Sequence, residues 1–268
     1  MTDQNANQTR RRPRTDPFRW LFADGSSPTA PHVVSMTWRD GLFCHWPVDP
    51  AALASHVPDE LTLETWEGDA WLSVLPFVLT DVGPRGAPPL ARTAVAELNV
   101  RTYVRYRGDP GLFFFSIDLG SPLLAATVGR TTRLPVYHAH MRVSSGDEGV
   151  AFRSTRSQSG PGVRPGYNSE EPPARFDATY RPDGEVFSPE PDTLPYWLVE
   201  RRRFYASEER GVLAGEIAHE PWPLQPAEVT INENTMFEAN GLPEPTGEPV
   251  VHYCEELSLT GSIVRRLG

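Results

Sequence analysis

Apolar and polar residues alternate at every second position along much of this chain, in runs short enough to be strands rather than helices. The clearest run, AELNVRTYV, puts Leu98, Val100, Thr102 and Val104 on one face and Glu97, Asn99, Arg101 and Tyr103 on the other. Comparable runs predict strands at 32–46, 70–80, 95–106, 112–118, 136–143, 204–206, 212–219, 227–231 and 250–257. Within the first of these, Arg39-Asp40-Gly41 predicts a bulge or bend. Segments 150–156 and 175–180 flank a turn-rich stretch and predict a long-looped hairpin. Asp49-Pro50 supplies an N-cap and a first helical position for a short helix ending at Val57-Pro58, and Ser121-Pro122 opens a second running to about residue 131. A third begins at Asp192, although Pro195 falls inside it. Many strands with three short helices predict a mainly β fold: one domain over 31–268, an antiparallel barrel or cone.

Composition sharpens this picture. Twenty-eight prolines spread over 268 residues disfavour long helices. All 25 members of the Lys+Arg count are arginine, so the chain contains no lysine, which suits either a salt-adapted organism or a GC-rich genome. A formal charge of -10 argues against a nucleic-acid partner, which needs a concentrated basic surface. The basic run Arg10 to Arg14 lies in a polar stretch and is expected to be part of a solvated arm over residues 1–30. No apolar segment follows it, so export through a twin-arginine signal is not expected, and no stretch approaches the roughly 20 apolar residues of a membrane helix. Cys44 and Cys254 make no disulfide framework, and a cytoplasmic location is expected.

The polar face of AELNVRTYV has two readings. It is either the wet side of an ordinary half-exposed strand, or the lumen side of a closed sheet, where Glu97, Asn99, Arg101 and Tyr103 would line a pocket. His138 and His140 point the same way from one strand, but a bare HxH without a carboxylate or thiolate at ligand spacing fits a polar lining better than a metal site, so no metal and no cofactor are expected. His219, in His219-Glu220-Pro221-Trp222, is placed either in a packing corner or at a pocket rim. Nucleophile-elbow, Walker A and GxGxxG patterns are absent from the sequence.

The segment WRDGLFCHWPVDPAALASHVPDELTLETWEG resembles the opening motif of acetoacetate decarboxylases, with Arg39, Asp49 and Val57-Pro58 at the matching positions. AELNVRTYV, GRTTRLPVYHAHM and HEPWPLQPAE are more specifically similar to the YqjF-like family of domains of unknown function, grouped with that superfamily. The resemblance implies a β-cone around a small-molecule pocket, lined by an arginine like Arg39 and a glutamate like Glu97 beside an imine-forming lysine. Here the corresponding segment reads RLPVYHAH, and imine chemistry is barred because an arginine guanidinium is no substitute nucleophile. Two functions stay open. One is a binding module for a small carboxylate or carbonyl compound, with Arg39 and Arg101 as anion-binding forks and Tyr103 or His138 as donors; the other is an imine-independent lyase or isomerase in which Glu97 moves a proton. An empty structural cone is a third reading, and a homo-oligomer is compatible with all three.

Overall fold

The computed structural model describes residues 29–157, 173–208, 211–245 and 247–267. The expected arm falls almost wholly outside the described residues; at its end, the amides of Thr29 and Ala30 donate to the Glu216 carboxylate.

Strand β1 (His32–Val48) carries the bend that its sequence announces. Asp40 adopts φ 50, and the pairing with the neighbouring strand shifts register between Arg39 and Cys44. The extra residue reverses the pleat, so Trp38 and Phe43, five positions apart, enter the same core and stack at 5.1 Å. Gly41 lies against the face of that indole: a Cβ there would stand 2.1 Å from Trp38. A Gly41→Ala variant is therefore expected to lose about 1–3 kcal/mol of stability by overpacking, read as a lowered midpoint in urea; an unchanged midpoint would show that the indole moves aside freely.

The remaining strands are β2 (Thr62–Leu63), β3 (Ala70–Pro84), β4 (Thr93–Tyr106), β5 (Asp109–Leu119), β6 (Val136–Gly146), β7 (Gly149–Arg156), β8 (Arg175–Pro182), β9 (Arg203–Glu208), β10 (Gly211–Ala218), β11 (Gln225–Asn234), β12 (Val250–Ser262) and β13 (Arg265–Arg266). Helix α1 (Pro50–Ala54) is capped by Asp49, which accepts the Ala51 amide, and α2 (Pro122–Thr132) by Ser121, which accepts that of Leu124. Helix α3 (Leu194–Val199) starts later than the sequence predicts: Thr193 caps it, and Pro195 fits because its first turn needs no amide donor there. Strands β2 and β13 are too short to show any period in the sequence.

All strands join one 13-stranded sheet in the order β13-β10-β9-β5-β6-β7-β8-β11-β12-β1-β3-β4-β2, with β10–β12 and β5–β4 also paired. These extra pairings fold the sheet into two partly closed, cone-like rings. One runs β12-β1-β3-β4-β5-β9-β10, the other β12-β1-β3-β4-β5-β6-β7-β8-β11, and β12-β1-β3-β4-β5 is a wall common to both. Pairing is antiparallel except where β5 runs parallel to β6 and to β9. The first ring encloses Trp38, Phe43, Leu75, Phe77, Leu119, Phe204 and Trp222; the second encloses Leu42, Cys44, Leu72, Val74, Leu98, Val100, Phe152 and Phe176. The wall is consequently buried on both faces, which is why the middle of β4 is buried without a break from Leu98 to Val104. Among the described residues no helix is long and apolar enough to cross a membrane.

Candidate functional site

Register places the chemistry. On the first-ring face of the wall, His45 of β1 pairs with Ser73 of β3, which in turn pairs with Arg101 of β4, so the three lie in one row across the strands. In the adjoining rows, Asn99 lies opposite Leu75 and Glu97 opposite Phe77. The alternation seen in AELNVRTYV therefore presents Glu97, Asn99, Arg101 and Tyr103 to the aromatic interior rather than to water.

Around Tyr103 the contacts are close. Its hydroxyl lies 2.7 Å from Ser73 Oγ and 3.1 Å from His45 Nδ1, and the Ser73 and His45 atoms are themselves 2.7 Å apart. The charge of the Arg101 guanidinium acts on the same phenol, while the Arg201 guanidinium lies over the ring with Cζ 5.3 Å from its centroid. Arg201 is paired with Glu64, which also binds Arg105 Nε at 2.6 Å. Among the described residues Arg101 has no such carboxylate bonded to it, and its Nε, like His45 Nε2, Asn99 Oδ1 and His252 Nδ1, is buried without a hydrogen-bond partner. Buried polar atoms of this kind each cost stability unless something satisfies them.

Burial dominates the electrostatics here. Glu97 is only partly buried, but desolvation is the largest influence on its carboxyl and pushes its pKa up to about 7 against the opposing pull of the Asn99 amide, 3.4 Å away, and of Arg101. His45 is held well below the ordinary histidine range by burial and then by Arg101 and His252; His219 is likewise depressed by burial, with Arg202 and Arg101 adding to it, and burial takes His252 down to about 4. The imidazoles are thus neutral donors or acceptors at pH 7, and Arg101 is the cation of the cluster. The shift at Glu97 has a sign: an acid whose pKa rises on folding binds more protons folded than unfolded, so stability declines as pH rises from the ordinary glutamate value of 4.5 through about 7. Glu97→Gln is expected to flatten that decline in urea melts across this window, and an unaltered slope would show that the carboxyl is not desolvated.

Not every expected residue joins the cluster. Arg39 does not, and this corrects the expectation that it shares a cavity with Glu97: the pleat reversal that turns Trp38 inward turns Arg39 outward, where it pairs with Glu256 of β12 at 2.9 Å with both side chains about half exposed. His138 and His140 meet edge to face at 5.1 Å, with His138 Nδ1 2.9 Å from Ser157 Oγ, and among the described residues neither makes a hydrogen bond or ring contact with the Arg101 row. His219 is buried, with Nδ1 2.6 Å from the Glu220 carbonyl. Among the described residues no group of three or more His, Cys, Asp or Glu could hold a metal ion. The residues that sequence reasoning misses are His45, Ser73, His252 and the pair Glu64–Arg201.

Known proteins share this architecture. The Bacillus subtilis (strain 168) protein YqjF, itself uncharacterized, is 39% identical over 233 residues, covering 86% of this chain and 91% of that one. Among solved structures, the enduracididine biosynthesis enzyme MppR complexed with pyruvate superposes with a TM-score of 0.60 at 15% identity, covering 92% of this chain and 95% of that one. An acetoacetate decarboxylase from Legionella pneumophila superposes with a TM-score of 0.50 at 14% identity, covering 89% and 90%. These likenesses show the acetoacetate decarboxylase-like fold. With the uncharacterized conserved family DUF2071 matched over residues 35–258, the chain belongs to that family.

Proposed function

We propose that the first-ring face of β4 binds a small compound carrying a carboxylate or carbonyl group, held by Arg101, with Tyr103, Asn99 and His45 as hydrogen-bonding neighbours. The observation that carries this reading is a buried guanidinium with no carboxylate bonded to it among the described residues, beside polar atoms that lack partners there. A planar fork of donors in a desolvated site suits a carboxylate better than any other side chain would. The bound pyruvate of MppR lends the reading support by analogy of fold. Titration of the protein with a panel of short carboxylates and 2-oxo acids, followed by ligand-observed NMR, should find a saturable binder that Arg101→Gln no longer takes. If no member binds, or the variant binds equally well, the reading fails.

A second reading is favoured by Glu97. A carboxyl poised near pH 7 next to a cation is suited to removing and returning a proton beside a carbonyl, with Arg101 stabilising the enolate oxygen. It would do so without an imine, because no lysine exists in the chain. Two outcomes are expected with pyruvate: exchange of methyl protons for deuterium that disappears in Glu97→Gln, and no side-chain adduct after borohydride reduction. An adduct anywhere but the N-terminal amine would overturn the imine-free chemistry.

A further inference from the structure

The ladder along one edge of β12 is broken. β10 pairs with β12 only at Thr260 and Gly261, β11 only at His252 and Tyr253, and the turn from His219 to Leu224 spans the gap between them. On its outer side, His219, Glu220, Pro221 and Pro223 line a cleft that is also walled by Met36, Leu257 and Leu259. On its inner side, Trp222 projects into the first core, edge-on to Trp38 at 5.0 Å and to Phe43 at 4.9 Å. Phe43 in turn stacks at 6.0 Å on His45, and Arg101 acts on His219. One short turn therefore separates an open cleft from the Arg101 row.

That turn is anchored at Leu224 by a backbone bridge to Phe187, and from His219 to Trp222 it is fastened by an ion pair. Arg202 Nη1 donates to the His219 carbonyl at 2.9 Å, Glu200 Oε1 accepts the Trp222 amide at 2.8 Å, and Arg202 and Glu200 are themselves 2.7 Å apart. Both side chains are largely buried, so the pair is weakly screened. Between β12, β1, β3, β4 and β5 the wall is closed by long backbone ladders, which open only at the cost of several hydrogen bonds. Between His219 and Trp222 the turn is held by these side-chain bonds and the packing of the indole rather than by a ladder, and Trp222 Nε1 has no hydrogen-bond partner to lose.

We propose that this cleft is the vestibule of the interior site and that the His219–Trp222 turn is its door, with Trp222 as the leaf and Glu200–Arg202 as the latch. The inference rests on the interior cluster being the binding site, but the door can be tested without any ligand. Cys254 lies in the first core behind the turn, whereas Cys44 lies in the second and serves as an internal reference. Modification of the two thiols by an aromatic disulfide reagent would be followed by mass spectrometry in the native protein, in Glu200→Gln, which preserves shape, and in Trp222→Ala. Both variants are expected to raise the rate at Cys254 at least about tenfold, with Cys44 unchanged. Protection of Cys254 in both variants, or equal acceleration at both thiols, would overturn the proposal. In the same variants, pyruvate on- and off-rates should rise together, with Kd moving less than either. Failure of the unaltered protein to bind pyruvate would count against the ligand reading and leave the thiol result to decide the door.

Discussion

Replacing Arg101 by methionine is expected to weaken carboxylate binding by about 2–5 kcal/mol, or roughly 30-fold to several thousand-fold. The magnitude follows from burial: Arg101 is 7% exposed, so a ligand carboxylate reaching it leaves water almost entirely and depends on the guanidinium for compensation. Methionine preserves much of the side-chain volume and removes the charge, which separates lost recognition from lost packing. Folding should survive or improve, since the native protein bears the cost of a desolvated cation, and Arg101 is in fact displaced toward easier deprotonation by that burial. Isothermal titration with whichever carboxylate binds the unaltered protein gives the readout. A variant that binds within about threefold of the parent would move the anion site elsewhere, the Glu64–Arg201 pair being the next place to look.

The largest loss of stability is expected from the other core. Asp118 and Arg156 form a buried pair, with side chains 0% and 2% exposed, and Arg156 Nε lies 2.9 Å from Asp118 Oδ1. The same guanidinium covers the Tyr137 ring with Cζ 4.0 Å from its centroid. Asp118→Ala strands that cation, and by the usual cost of an uncompensated buried charge it should destabilise the protein by about 3–5 kcal/mol. Joint replacement, Asp118→Leu with Arg156→Met, should recover most of the loss, because the pair's attraction largely offsets its own desolvation. Urea denaturation of the single and double variants tests both statements. A single variant within about 1 kcal/mol of the parent would mean that water reaches Arg156.

Much of the fold is legible in the sequence, and the parts that are not have physical causes. Local signals are reliable where one residue type has one job: Asp49 and Ser121 cap the helices that they announce, and the segments flanking 158–172 do pair as β7 and β8. The face carrying Glu97, Asn99, Arg101 and Tyr103 follows from a period of two. Its direction does not, because a wall with apolar cores on both sides has no wet face for alternation to reveal, and Leu98 and Val100 are as buried as the residues opposite. Arg39 is misplaced when the bend is recognised without counting its parity: one added residue at Asp40-Gly41 exchanges inside and outside. The same count finds His45, two residues beyond Phe43 on the Trp38 face. No local signal brings Ser73 beside Arg101 or Glu64 beside Arg201, since cross-strand register and loop packing are settled by the whole sheet.

The common wall also dictates when the protein can fold on the ribosome. Among the described residues β12 is the last long strand to be synthesised, and it pairs with β1, the first of them, from His32 opposite Ser262 to His45 opposite Val250. Both rings pass through that seam, so neither core can be sealed until residue 262 has cleared the exit tunnel. Until then a nascent chain with β1, β3, β4 and β5 already outside presents β1 as an open edge, with apolar side chains on both sides of the sheet. Slow, long-range closure of this sort leaves a window for mispairing. Stalled chains truncated before Val250 should therefore remain protease-sensitive and chaperone-bound throughout, rather than protected one lobe at a time.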